Sequence, residues 1–155
     1  MPQTNGAHNV FDRLPEAVLA RLLPLGSRLG FDTGSRVMRE GVDTPFLGLI
    51  ETGRVALRLR MAERGERLTL VTVEPSELLG WSAIVPPHRA TVDAVATEPT
   101  RILAFEAEGL RALLAGDCEV AAALLPLVVD TVSGRLSASW SQLLDVYGLQ
   151  EAQAW

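Results

Sequence analysis

The sequence predicts a mainly β domain with flanking helices, an α+β chain whose antiparallel strands form a small closed sandwich or barrel. Between residues 28 and 105, short segments alternate apolar and polar side chains, and Gly or Pro residues separate these segments. After residue 105 the apolar residues recur at helical spacing. A chain of 155 residues, 48% of them hydrophobic, has the size of one compact domain.

The N-terminal segment is polar first and amphipathic afterwards. Residues 1–9 are polar, and we expect them to be flexible. In residues 10–25 apolar side chains recur at helical spacing, with Pro15 near the start, where its missing N–H costs little. The pattern predicts a short N-terminal helix, and we assign residues 10–155 to a single domain.

The strands are expected within a β region at about residues 28–105. The alternating segments are 36–39, 46–51, 55–60, 68–73, 91–96 and 100–105. Glycines lie at the joints, where a turn often needs a positive φ. These are Gly34, Gly41, Gly53 and Gly65.

The C-terminal part is predicted to be helical over about residues 107–148. Residues 107–114 can form a short helix, Gly116 ends it, and Asp117 is a suitable N-cap for the next. That next helix has an apolar stripe and spans about six turns, or roughly 30 to 35 Å. Pro126 must lie in its first turn or kink it, and Gly134 is a second weak point. The stripe consists of Leu125, Val128 or Val129, Val132, Leu136, Trp140, Leu143 and Tyr147.

This stripe has two explanations. It can be buried against the strands of its own domain, or a second subunit can cover it. A helix longer than a small barrel leaves apolar surface uncovered, and Trp140 lies near the far end. The sequence therefore favours a homodimer with Leu136, Trp140 and Leu143 at the interface.

Composition limits the partners. A net charge of −5 argues against nucleic acid, since phosphate binding needs a basic face and none is evident. Residues 1–10 lack the features of a signal peptide, and no run of about eighteen apolar residues predicts a membrane span. The single Cys118 excludes an internal disulfide. We expect a cytoplasmic protein without a nucleic acid or membrane partner.

The residue inventory predicts neither an enzyme nor a metal site. His8 and His88 are the only histidines, whereas a metal site on strands needs several His and carboxylate ligands. Residues 80–84 lack the closing Gly of a nucleophile turn, and His88 has no evident carboxylate partner. We therefore expect no catalytic residues, no metal and no cofactor.

Residues 75–81 and 88–92 together predict a pocket for a small phosphorylated ligand. A helical turn opening at Ser76 would direct free backbone N–H groups at an anion, and Arg89 could close over the same anion. An ionised Glu77 only accepts hydrogen bonds, which suits a sugar hydroxyl. These elements describe a nucleotide with a buried phosphate. The alternative is an ordinary turn with a solvated Glu and Arg.

The runs FDTG at 31–34, EG at 40–41 and LIETGRV at 49–55 resemble the opening of the cyclic nucleotide-binding domain family. This family includes the sensor domains of the catabolite activator protein, protein kinase A regulatory subunits and cyclic-nucleotide-gated channels. The resemblance extends from about residue 11 to 147. It implies an antiparallel β-roll, a jelly-roll-like barrel, with a short N-terminal helix and a long C-terminal helix, and it makes cAMP or cGMP the possible ligand.

The resemblance also implies roles for individual residues. In the family a phosphate-binding cassette lies between two strands, its Glu binds the ribose hydroxyl and its Arg binds the cyclic phosphate. By similarity these are Glu77 and Arg89, backbone amides come from the two leucines after Glu77, and the final helix covers the base. The implied ligand-binding residues are Ser76, Glu77, Leu78, Leu79, Arg89, Ala90, Thr91 and Ser133.

Three features depart from the family pattern. Ser76 stands where Gly is usual, which can crowd the backbone. The segment from Glu77 to Arg89 is longer by about two or three residues and contains two consecutive prolines. Counting back from Val92 puts His88, and not Arg89, in the place of the phosphate arginine, and a shift of one residue reverses the face of a strand. Which of the two faces the pocket stays open.

Two hypotheses for function follow. The first is a stand-alone regulatory or sensor domain that binds cAMP, cGMP or a related nucleotide and acts as a dimer on an unknown protein partner. Because the sequence ends at Trp155, soon after the long helix, we expect no DNA-reading helix-turn-helix. The second is a degenerate β-roll that no longer binds nucleotide and serves as a dimeric adaptor or accessory protein.

Overall fold

The computed structural model describes residues 9–60, 65 and 67–148. Residues 1–8, most of the segment expected to be flexible, lie outside the described residues. The strands in the described ranges are β1 (Gly26–Phe31), β2 (Arg36–Met38), β3 (Phe46–Thr52), β4 (Val55–Arg60), β5 (Arg67–Val73), β6 (Leu78–Leu79), β7 (Asp93–Ala96) and β8 (Thr100–Glu106). The helices there are α1 (Glu16–Leu22), α2 (Ala107–Gly116) and α3 (Cys118–Val146), with short 3-10 turns at Val10–Arg13, Leu23–Leu25 and Trp81–Ala83.

The strands form two four-stranded antiparallel sheets, ordered β1-β8-β3-β6 and β2-β7-β4-β5. Apolar side chains from both sheets share one core. The predicted mainly β fold with flanking helices and a long C-terminal helix is confirmed. The described strands form a two-layer roll and do not close into a barrel. The largest members of the shared core include Val37, Met38, Phe46, Ile50, Val55, Val73, Leu79 and Ile102.

Six of the strands were predicted and two were not. β1 contains two glycines and lacks regular alternation, so its place is set by its ladder with β8, from Gly26↔Phe105 to Phe31↔Thr100. β6 has only two residues, too few for a pattern. The four glycines at the predicted joints all have positive φ, as expected. The short N-terminal helix predicted within residues 10–25 is confirmed as α1, which begins after Pro15 and is followed by a 3-10 turn that contains Pro24.

The helices cover one sheet and build a second core. The rings of Phe11 and Phe105 lie 5.8 Å apart at an angle of 57°. Side chains of α1, α2 and α3 pack on the same side as the buried Leu78 of β6. The beginning of α3 is therefore anchored beside the segment expected to bind phosphate. Other buried members of this core are Leu14, Val18, Leu22, Leu47, Leu110, Val120, Leu124, Leu127 and Val128.

Asp117 begins α3 as predicted, since its Oδ1 accepts a hydrogen bond from the Val120 N–H at 3.2 Å. The helix runs for 29 residues, about 43 Å, and is longer than expected. Pro126 does not lie in the first turn. It lies inside the helix, eight residues after Cys118, and the helix continues as one element past it.

The two sides of α3 have different environments. Val120, Leu124, Leu127 and Val128 are buried against the domain. Part of the predicted stripe is exposed instead, so burial in its own domain does not account for it. The exposed fractions of these stripe residues are 55% for Leu136, 64% for Trp140, 43% for Leu143 and 71% for Tyr147.

Among the helices of the described residues, α3 alone is long and apolar enough to cross a membrane, as many apolar helices are.

The solvent-facing side of the sheet β2-β7-β4-β5 is basic. Two adjoining clefts there are lined by arginines from three strands and from the chain after β2. The expectation that the chain has no basic face is therefore wrong. These arginines are scattered over some thirty positions of sequence, and only strand pairing brings them together. They are Arg36, Arg39, Arg58, Arg60 and Arg67.

Candidate functional site

The segment expected to bind phosphate begins with a turn at Ser76, whose φ is 74°. Its N–H donates to the Ile50 carbonyl at 2.8 Å, and the Ile50 N–H donates to the Glu77 carbonyl at 3.1 Å. The helical turn predicted at Ser76 is wrong, because pairing with β3 extends the chain there. A helical turn opens instead at Trp81, after Gly80. The Ser76 amide is thus already used within the protein.

The segment then lies tightly against β3. In β6, Leu78 and Leu79 are buried and stand opposite Leu49 and Gly48. Gly80 has a φ of 85°, and a Cβ there would lie 2.4 Å from the Phe46 carbonyl oxygen. Only glycine fits this position without a shift of the backbone.

Glu77 is exposed and lines a cleft of about 430 Å³, named here the Glu77 cleft. One wall comes from residues 76–78, and α3 forms the opposite wall. Arg13 and Asp130 form an ion pair at 2.7 Å across the cleft. A sugar hydroxyl could reach the Glu77 carboxylate here.

The two candidate phosphate partners both face other groups. Arg89 is exposed, and its Nε lies 3.8 Å from Oδ1 of Asp43. The His88 Nδ1 lies 3.3 Å from the Ser82 carbonyl oxygen, and its backbone has a φ of 63°. Ala90 is buried and Thr91 exposed, and both line a small gap beside Gly80. Neither the Arg89 nor the His88 side chain lines that gap.

Arg135, on α3, is the site residue that the sequence analysis missed. Its Nη2 donates to the Leu78 carbonyl, while its buried Nη1 has no hydrogen-bond partner among the described residues. Burial lowers the pKa of the guanidinium, and the nearby negative charge of Glu77 raises it in part. Arg135 follows the buried Val128 by seven residues, so its helical spacing could have placed it on the buried face.

Three cavities meet at Arg135. One is the Glu77 cleft. The second, the central gap between Gly80, Ala90 and Arg135, has a volume of about 30 Å³, room for one or two waters. The third, the Trp81 cleft, measures about 420 Å³ and is lined mainly by apolar side chains, among them Leu57 and Val132. The arrangement offers one buried cation between a cleft lined by both charged and apolar residues and a mainly apolar cleft.

Ser133, expected nearest to a base, is exposed and lines none of these three cavities. Ser133 lies two positions before Arg135 in the helix, which places the two side chains about 160° apart around its axis. The α3 residues beside the Trp81 cleft are Val132, Arg135, Leu136 and Ser139.

The described residues contain no group of three or more His, Cys, Asp or Glu side chains that could hold a metal ion. Cys118 is exposed at the start of α3. The chemistry that this site offers is hydrogen bonding and charge, supplied by Glu77, Arg135 and the backbone of residues 78–81.

Solved structures share this architecture. A cyclic nucleotide-binding domain from Methylobacillus flagellatus KT has a TM-score of 0.76 at 18% identity, over 88% of this chain and 79% of that one. The N-terminal domain of a transcriptional regulator from Streptomyces coelicolor A3(2) has a TM-score of 0.67 at 27% identity, over 84% and 90%. The c-di-GMP responsive global regulator CLP of Xanthomonas campestris has a TM-score of 0.70 at 18% identity, over 82% and 62%.

The sequence itself also matches a family. No curated protein matches the chain. The model of the cyclic nucleotide-binding domain, however, matches residues 28–117, more than half of the chain. This range contains the strands β2 to β8, the segment at 75–81 and the residues His88 to Thr91. The chain therefore belongs to the cyclic nucleotide-binding domain family.

Proposed function

We propose that the chain is a regulatory domain that binds a cyclic nucleotide, cAMP or cGMP, and transmits binding through α3. The observation that carries this proposal is the buried Nη1 of Arg135, which has no partner among the described residues. A buried donor without an acceptor costs about 1 to 3 kcal/mol, so a ligand that supplies an acceptor stabilises the site. A phosphate matches both the charge and the forked geometry of a guanidinium.

The other expected ligand-binding residues surround this donor. Glu77 would accept from the ribose hydroxyl, and the backbone of Leu78 and Leu79 would line the phosphate side. Ala90 and Thr91 form the far wall of the central gap. Arg89 can contribute only if its side chain leaves Asp43. Arg135 is therefore the proposed primary donor to the phosphate, with Arg89 as an additional one.

The small central gap suggests how binding reaches α3. A volume of about 30 Å³ does not hold a cyclic phosphate, so the ligand must take the place of an existing contact. The contact between Arg135 and the Leu78 carbonyl is the one that a phosphate can replace, because the phosphate offers the guanidinium a stronger acceptor. Since Arg135 belongs to α3, exchange of this bond favours a different position of the helix.

The exposed stripe of α3 supplies the output surface. We propose that a second copy of the chain covers Leu136, Trp140 and Leu143 around a two-fold axis, because an apolar helix face is self-complementary in such an arrangement. A homodimer in the cytoplasm would then act on a protein partner, and nucleotide binding would change the relation between the two α3 helices.

One observation favours a second candidate function, that of a dimeric adaptor without nucleotide. The central gap is nearly filled, and Arg89 is paired with Asp43 outside it. If this arrangement is rigid, α3 remains docked through Arg135 and serves only for association.

Titration of wild-type protein and arginine variants with cAMP and cGMP distinguishes the two functions. We expect Arg135→Ala to weaken binding by roughly ten- to a hundredfold, as expected for loss of a charge-assisted hydrogen bond. Arg135→Lys should recover part of the affinity, because it keeps the charge and loses the fork. Arg89→Ala measures how much the Arg89 side chain contributes to nucleotide affinity. Arg101→Ala is the matched control, since Arg101 is exposed on β8 and lines none of the three cavities.

Absence of binding by the wild-type protein at millimolar nucleotide would favour the adaptor. If nucleotide affinity is unchanged in Arg135→Ala but lost in Arg89→Ala, then Arg89, and not Arg135, is the primary donor to the phosphate.

A further inference from the structure

A cluster of arginines, most of them without an ion pair among the described residues, lies on the sheet β2-β7-β4-β5. Most described arginines have a partner. Ion pairs with carboxylates are made by Arg13, Arg21, Arg28, Arg54, Arg67 and Arg89, and backbone carbonyls accept from Arg111 and Arg135. The described arginines with neither an ion pair to a described carboxylate nor a described carbonyl acceptor are Arg36, Arg39, Arg58, Arg60 and Arg101. All of these except Arg101 line the same surface.

The surface consists of two adjoining clefts. One has a volume of about 530 Å³ and is lined by Arg36, Arg39, Arg60 and Arg67. The other has a volume of about 490 Å³ and is lined by Arg36, Arg58 and Arg67. Arg36 and Arg67 belong to both, so the clefts form one basic surface, which we name the arginine face. Each cleft has the size of a small-molecule site.

Two carboxylates belong to the arginine face, and one of them is already satisfied. Asp93 is buried, accepts from the Glu40 N–H at 2.8 Å, and pairs with Arg67 at 3.3 Å. Asp93 therefore holds the end of β2 against β7 and fixes Arg67. Glu40 is exposed and makes no described ion pair. Among the described residues of this face, the positive charge of Arg36, Arg39, Arg58 and Arg60 exceeds what Glu40 can balance.

Like charges gathered on one surface repel each other, and the chain as a whole is acidic, with a net charge of −5. Guanidinium groups that converge on a concave surface suit phosphate, which they bind through paired hydrogen bonds. We propose that the arginine face is a second ligand site, separate from Arg135, for a compact anion with two or more linked phosphate groups, such as an oligophosphate or the phosphate chain of a nucleotide.

Calorimetric titration with tripolyphosphate tests this site. We expect tripolyphosphate to bind at least about tenfold more tightly than orthophosphate at equal ionic strength, with an affinity that falls as salt rises. ATP should bind nearly as tightly as tripolyphosphate if the phosphate chain alone is recognised. The variant Arg36→Gln plus Arg60→Gln should weaken tripolyphosphate binding by about tenfold or more.

Two controls locate the binding. Arg101→Gln removes an unpaired arginine elsewhere on the surface and should change the affinity less than about twofold. Arg135→Ala should leave tripolyphosphate binding unchanged, which separates this site from the proposed nucleotide site. Melting curves check that every variant remains folded.

The proposal is overturned if tripolyphosphate binds no better than orthophosphate, or if Arg101→Gln weakens it as much as the double variant. Loss of binding in Arg135→Ala would assign the oligophosphate to the other site. Tighter binding of hexaglutamate or of a short RNA, at matched charge, would assign the arginine face to an acidic protein segment or a nucleic acid and would also overturn it.

Discussion

At the scale of single residues, the structure places Arg135, and not Arg89, beside the backbone of the segment expected to bind phosphate. Arg89 lies only a few residues after the segment at 75–81 in sequence, yet its side chain pairs with Asp43 at the surface. Arg135 lies far away in sequence, yet its guanidinium reaches the Leu78 carbonyl. The direction of Arg89 depends on the backbone of the preceding residues, including the positive φ of His88, which the sequence pattern does not reveal.

The close approach of Gly80 to β3 can be tested against a glycine of equal φ. Gly80 and Gly34 both have a φ of 85°, but a Cβ at Gly34 would meet nothing within 4 Å. Gly34→Ala should therefore cost only the backbone strain, about 1 to 2 kcal/mol. Gly80→Ala adds a clash with the Phe46 carbonyl and with Met38, so we expect about 2 to 5 kcal/mol in all. Urea denaturation measures both variants, and equal losses would contradict the close approach.

At the scale of elements, α3 shows what periodicity predicts and what it leaves out. The sequence predicted the Asp117 cap correctly, because a capping hydrogen bond is local. It predicted the apolar stripe but not which neighbour covers it, because spacing alone does not fix how a helix lies on a sheet. The side that packs on the domain also carries Arg135, and the exposed side carries Trp140.

If α3 forms the proposed dimer interface, added charge on its exposed apolar face should dissociate the dimer. Trp140→Glu plus Leu143→Glu places two carboxylates in the proposed interface, where burial without partners is costly. We expect the wild-type protein to be a dimer by light scattering at micromolar concentration and this variant to be a monomer. Its circular dichroism should retain the wild-type strand content.

The matched control adds the same charges to another side of the same helix. Ser137 and Ser141 are exposed and lie about 90° and 130° around α3 from the middle of the face that Leu136, Trp140 and Leu143 form. Ser137→Glu plus Ser141→Glu should therefore leave the dimer intact. A monomeric wild-type protein, or equal dissociation in both variants, would remove the stripe as the interface.

At the scale of the whole molecule, the features predicted from sequence are those encoded locally. Strand alternation and the turns at Gly53 and Gly65 were sufficient to predict the mainly β fold. The arginine face and the place of Arg135 depend on which distant strands and helices become neighbours. A sequence pattern does not show which strands become neighbours. The local excess of positive charge on the arginine face could therefore not be predicted from a chain whose net charge is −5.

Ligand binding at the site of Arg135 should stabilise the whole domain. A ligand at about a hundred times its dissociation constant adds roughly 2.7 kcal/mol to the free energy of unfolding, provided that it does not bind the unfolded chain. For a chain of this size, that corresponds to a rise in melting temperature of about 5 to 11 °C. We expect this rise with cAMP or cGMP for wild-type protein and for Arg101→Ala at fixed protein concentration. At the same nucleotide concentration Arg135→Ala should show about half of this rise or less, because its dissociation constant is higher. An equal rise in Arg135→Ala would show that nucleotide stabilises the fold without this guanidinium.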